Sequence, residues 1–124
     1  TIAFPCYDGN GMFLSMGNVA AHPAVGLLFI DFQSPKRLRV HGRARRAPLA
    51  SIPEPWPEAQ FAVFVEVERI FPNCPRYIHQ RALENRSPFV PHAGVTTPVP
   101  AWKRMDWAVD VLPAGDPARA EVTP

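Results

Sequence analysis

Apolar positions along this chain gather into short blocks separated by proline, glycine and charge. Residues 1–6 read as a strand that runs into a turn over Tyr7-Asp8-Gly9-Asn10-Gly11. Met12, Met16, Val19 and Ala20 then recur at helical spacing, predicting a helix over 12–21 that Asp8 or Asn10 caps and Pro23 closes. AVGLLFIDF, 24–32, is a near-continuous apolar run of the kind covered on both faces. After a turn at 33–36, residues 37–46 alternate. Leu38, Val40, Gly42 and Ala44 fall on one face, and Arg37, Arg39, His41, Arg43 and Arg45 on the other. These two runs are expected to pair as an antiparallel hairpin.

Prolines at 48, 53, 55 and 57 turn the next stretch into a loop with at most one short helical turn. FAVFVEVERIF, 61–71, is a further buried strand with Val63, Val65 and Val67 on one face. A corner at 70–75 follows, with Cys74 expected as a buried thiol, then a short helix over 76–85. Residues 86–100 form a proline-rich extended loop. Beyond it a two-turn helix packs Trp102, Met105 and Trp107 against the body, and the last residues fray. These few strands and short helices leave a core that asks for more sheet, from preceding strands or a partner subunit.

Composition adds bounds. At 124 residues the chain suits a single domain, with 1–80 as its core and 81–124 as loop and terminal helix. It starts at TIAF, without Met and already in a strand pattern, so it reads as the remainder of something longer, incomplete at the amino end. No apolar run nears the ~18 residues that span a bilayer. Cys6 and Cys74 stand far apart and are expected as reduced thiols in a cytoplasmic protein. His22, His41, His79 and His92 are scattered, which argues against a metal site. Net charge is only +2, yet residues 36–46 hold six Lys or Arg and no acid. Nucleic-acid binding would want aromatics interleaved on the arginine face, and there are none, so it is not expected.

The turn at 9–11 has two readings. Gly-Asn-Gly ahead of a helix presents unpaired N–H groups that attract phosphate. The same glycines also serve a turn that needs positive φ. FPCYDGNGMFLSMGN contains no Lys or Arg, so an anion site here would take its positive charge from elsewhere.

The order of the motifs carries more than any one of them. IAFPCYDGNGM, AAHPAVGLLFIDF, RLRVHGRARR and EVERIFPNCPRYI in succession closely resemble the pyridoxamine-5'-phosphate-oxidase-like family of FMN-binding split β-barrels. The likeness spans about residues 1–80 and is stronger to flavoprotein relatives than to the vitamin-B6 enzyme, whose Ser-Arg-Lys-like set is Asn-Gly-Met here. The resemblance implies a mainly β fold, a Greek-key-like antiparallel barrel with two further strands ahead of residue 1. It implies a homodimer with FMN in the cleft between subunits and a small-molecule substrate. Phe4, Pro5 and Cys6 would line the flavin edge, Asn10, Gly11, Met12 and Ser15 would surround the phosphate, and Arg37 and Arg39 would reach the cofactor.

A flavin carries its own redox chemistry, so the protein need only hold and tune the ring. The expected activity is an FMN-dependent oxidoreductase. A non-catalytic split barrel binding flavin, deazaflavin or haem as a sensor or carrier stands beside it, as does a cofactor-free structural module.

Overall fold

The computed structural model describes residues 1–54, 56–75, 78–79, 81–82 and 87–120. Four strands dominate it: β1 (Ile2–Cys6), β2 (Ala24–Asp31), β3 (Lys36–Ala47) and β4 (Phe61–Asn73). All pairs are antiparallel, in the order β1-β4-β3-β2. β2, β3 and β4 form a meander, and β1 returns beside β4, which makes the order a Greek key. The sheet curls into a half-barrel, and the few helices are short.

The expected hairpin is present, with Leu27 opposite Val40 and Ile30 opposite Arg37. Its turn is held by the Asp31 carboxylate, which accepts the N–H groups of Gln33 and Ser34 at 2.9 and 3.0 Å. The amides of Ser34 and then Gln33 hold that carboxyl below its ordinary range.

One sheet face carries the core. Ala44, Phe61, Val63 and Val65 are buried there, and Ile2, Phe4, Cys6, Val25 and Leu27 pack around them. The helix α1 (Leu14–Ala21) covers this face with Met16 and Val19. Helical spacing at 12–21 therefore had its physical cause in this packing.

β2 differs from expectation. It is an edge strand: Val25 and Leu27 are half-buried on the face that α1 covers, its other face is exposed, and among the described residues no strand pairs beyond it. Leu28, Phe29 and Ile30 remain 48, 45 and 39% exposed. A continuous apolar run does not distinguish a covered strand from an edge awaiting one.

β3 and β4 pair along nearly their whole length with one irregularity. Between His41 and Gly42 the register shifts, so Arg69 faces His41, Val67 faces Gly42, and Glu68 is the extra residue of a bulge. Gly42 sits where the backbones approach most closely: a Cβ there would run into the Glu66 carbonyl and lie 3.0 Å from Val65 Cγ1.

The carboxy-terminal part forms no two-turn helix. A 3-10 turn (Ala101–Arg104) meets α2 (Asp106–Val109) at Met105, whose extended backbone breaks the run, and α3 (Pro117–Ala120) follows. Trp102 and Trp107 stack on each other at 6.1 Å, with Trp107 65% exposed. Of the helix expected over 76–85, residues 78, 79, 81 and 82 are not helical, and the remainder lies outside the described residues. No helix among the described residues is long and apolar enough to cross a membrane.

Candidate functional site

The stretch between β1 and α1 is the hinge of the site, and most of its polar groups are spent on structure. Asn10 Oδ1 accepts the Met12 N–H at 3.1 Å, closing an Asx turn ahead of the helix rather than capping it. Phe13 takes the N-cap position in the left-handed region with no side-chain cap. Gly11 adopts φ +75, and an added Cβ would lie 2.5 Å from Pro113 Cδ, so the turn is roofed by the carboxy-terminal segment.

Asp8 does not cap the helix either. Its carboxylate meets the Lys103 ammonium at 2.6 Å, and Asp116 meets the same ammonium at 2.7 Å. Lys103 is 1% exposed and Asp116 3%. Asp116 Oδ1 also accepts the Ala118 N–H at 2.9 Å, so the triad fastens the turn to the 3-10 turn that holds Lys103 and to the start of α3. Burial alone would push the Lys103 pKa down. Hydrogen bonds from Asp116 and then Asp8, with the charges of both, outweigh that and hold it above the ordinary lysine value.

Between α1, the end of β3 and residues 113–116 lies a cleft of about 760 Å³, within the usual range for a small-molecule site. Phe13, Met16 and Val19 line one wall, Phe61 and Pro113 another. The Arg46 guanidinium lies 4.4 Å over the Phe61 ring, and Phe13 stands 6.4 Å from that ring. Phe13 in the lining is exposed, as are its chain neighbours Met12 and Leu14. The N–H groups of Leu14, Ser15 and Met16 have no acceptor within an α-helix's first turn.

The residues expected around a flavin separate into three places. Gly11 lines the cleft, while Asn10, Met12 and Ser15 stand at the turn and helix start. Phe4 and Cys6 pack into the core beneath α1, and Pro5 pairs with Ala62 on the sheet's other face. Arg37 and Arg39 lie at the far end of β3, nine and seven residues before Arg46, about 30 and 23 Å away at strand spacing. There Arg37 donates to the Cys74 carbonyl.

Arg46 and Lys103 are what sequence reasoning missed. Consecutive arginines in one strand must point to opposite faces, so Arg45-Arg46 already implies one guanidinium turned toward the covered side. For Lys103 no local signal exists, because its partners are 95 and 13 residues away.

The two cysteines are free and lie near opposite ends of β4. Cys74 is exposed, correcting the expectation of a buried corner thiol, because β4 runs on through Asn73 and carries the corner into solvent. Burial pushes the Cys6 thiol up, with Arg46 only partly offsetting it. Titration with a disulfide reagent at neutral pH should therefore show one fast and one slow thiol, and Cys74→Ser should remove the fast phase. Two equal rates would contradict this placement. Among the described residues, no group of three or more His, Cys, Asp or Glu could hold a metal ion.

Comparison with protein-family models, curated proteins and solved structures finds no match to this chain.

Proposed function

We propose that this chain is an FMN-binding flavoprotein of the pyridoxamine-5'-phosphate-oxidase-like type, a cytoplasmic homodimer that acts as an oxidoreductase on a small-molecule substrate. The observation that carries the reading is the Arg46 guanidinium over Phe61 in an apolar cleft beside a helix amino terminus. A planar aromatic ligand with a phosphate needs those three features together: a flat apolar wall, a fixed cation and backbone N–H donors.

The residues present fit this group in a changed arrangement. The Gly-Asn-Gly turn does not itself cradle the phosphate, since Asn10 occupies the Met12 amide and Pro113 covers Gly11. Arg46 supplies the charge, and the amides of Leu14, Ser15 and Met16 with the Ser15 hydroxyl supply hydrogen bonds. Phe13, Met16 and Phe61 would flank the ring system. Bound flavin supplies the electron chemistry, so the chain's part is binding, orientation and exclusion of water. A second copy lying over Met12, Phe13 and Leu14 would bury their exposed apolar surface and close the cleft's mouth.

Flavin fluorescence titration tests the assignment of the cation. Arg46→Ala should weaken FMN about tenfold, in line with loss of one charge-assisted contact. Arg37→Ala should leave the affinity unchanged. The reverse pattern would move the site to the other end of β3.

A second reading rests on Asp8 and Asp116, the carboxylates beside the cleft. Both are engaged by Lys103, which leaves neither as a ready general acid or base. That favours a non-catalytic carrier or sensor of flavin, deazaflavin or haem. Turnover of the loaded protein with a reduced nicotinamide separates the two, since a carrier shows none.

A further inference from the structure

The sheet face opposite the cleft combines positive charge with aromatic rings. Residues paired directly across strands share a face, so the register places Arg37, Arg39, His41, Arg43 and Arg45 of β3 beside Phe64, Arg69 and Phe71 of β4. The arginine row of the isolated strand thus acquires the interleaved aromatics it lacked, from Phe64 opposite Arg45 and Phe71 opposite Arg39, 19 and 32 positions away.

Contacts bear this out. The Arg45 guanidinium lies 4.8 Å over the Phe64 ring, and His41 meets Phe71 edge-on at 5.0 Å. Across the three strands one row reads Leu28, Arg39, Phe71, and all three are exposed. Glu66, opposite Arg43, is the one acid at a paired position of this face. Among the described residues no carboxylate pairs with Arg39, Arg43, Arg45 or Arg69. Among the described residues no helix covers the face, and α1 packs on the other side.

We infer that this face binds single-stranded nucleic acid, with phosphates on Arg39, Arg43 and Arg45 of β3 and Arg69 of β4, and bases stacking at Phe71 and Phe64. Charge complementarity selects a polyanion. The two rings, seven positions apart on β4 with one residue bulged out, stand roughly 20 Å apart. That separation suits a strand of several nucleotides tracking along the sheet. An open sheet face with Phe71 exposed and Phe64 half-buried takes unpaired bases, whose faces are free, and not those of a duplex. The inference is independent of the flavin reading, because it uses the opposite face.

Fluorescence anisotropy of a labelled 15-nucleotide oligothymidine with the full chain tests it, with heparin and a duplex as comparison ligands. The expected result is binding that weakens as salt rises and is lost about tenfold or more with Arg39→Glu. Phe71→Ala should weaken the oligothymidine about fivefold while leaving heparin affinity unchanged. Absence of binding at low salt overturns the proposal. So does equal binding of heparin, duplex and single strand with no effect of Phe71→Ala, which would make the face a general polyanion surface. An Arg39→Glu variant that changes only the subunit count in solution also overturns it, since the face would then be covered by a second copy. Circular dichroism of the exposed-site variant Arg39→Glu shows that a lost signal is not lost folding.

Discussion

Lys103→Met should destabilise the chain by about 3–5 kcal/mol, read as a fall in melting temperature of roughly 10 °C or more. The size follows from what stays behind. Asp116 has a side chain only 1% exposed, and without the ammonium its charge has neither water nor counter-ion. Asp8, 29% exposed, can rehydrate, so Asp8→Asn should lose less than Asp116→Asn. The double variant Lys103→Met with Asp116→Asn should recover part of the loss, because the unpaired buried charge is gone. A shift below about 2 °C for Lys103→Met would mean the triad is not formed in solution. The same triad sets an alkaline limit. Lys103 has its folded-state pKa raised, so its contribution is complete below the unfolded-state lysine pKa. It is lost as pH rises through the folded value.

Gly42→Ala should lower stability by about 2–3 kcal/mol, near the upper part of the usual overpacking range. The added methyl group meets the Glu66 carbonyl and the Val65 side chain at 3.0 Å, and Val65 is fully buried in the core. Backbone cannot rotate aside as a side chain can, so relief requires β3 and β4 to part at the bulge. Denaturant unfolding measures the loss. A neutral result would show that the close approach at Gly42 is absent. By contrast Gly17→Ala, where nothing lies within 4 Å of the added carbon, should be neutral or slightly stabilising in mid-helix.

Strands β2, β3 and β4 were legible because their signals are local: an apolar run, an alternating run and proline breaks on either side. The hairpin followed from adjacency, with Asp31 and the 33–36 turn to close it. The β1–β4 pairing was not legible, since Ile2 meets Val65 across the whole meander. Nor was the exposure of β2, because apolar content says nothing about whether a neighbour covers it. The Gly-Asn-Gly turn shows the same limit at the site. Its composition reads equally as an anion cradle or a tight turn, and only Pro113, distant in sequence, decides that the glycine serves close packing. Arg46 was half-legible: alternation requires one of two adjacent arginines to face inward, yet nothing local says that a cleft waits there. The aromatic company of the arginine row depended wholly on register between β3 and β4.

The proposed function places a phosphorylated flavin in the cleft beside Arg46. The most direct measurement is the visible absorption spectrum of the purified protein after incubation with excess FMN and removal of free ligand by desalting. The expected result is a retained flavin spectrum at one FMN per subunit, and a much reduced one for Arg46→Ala. A colourless protein, or equal retention by Arg46→Ala, would contradict it.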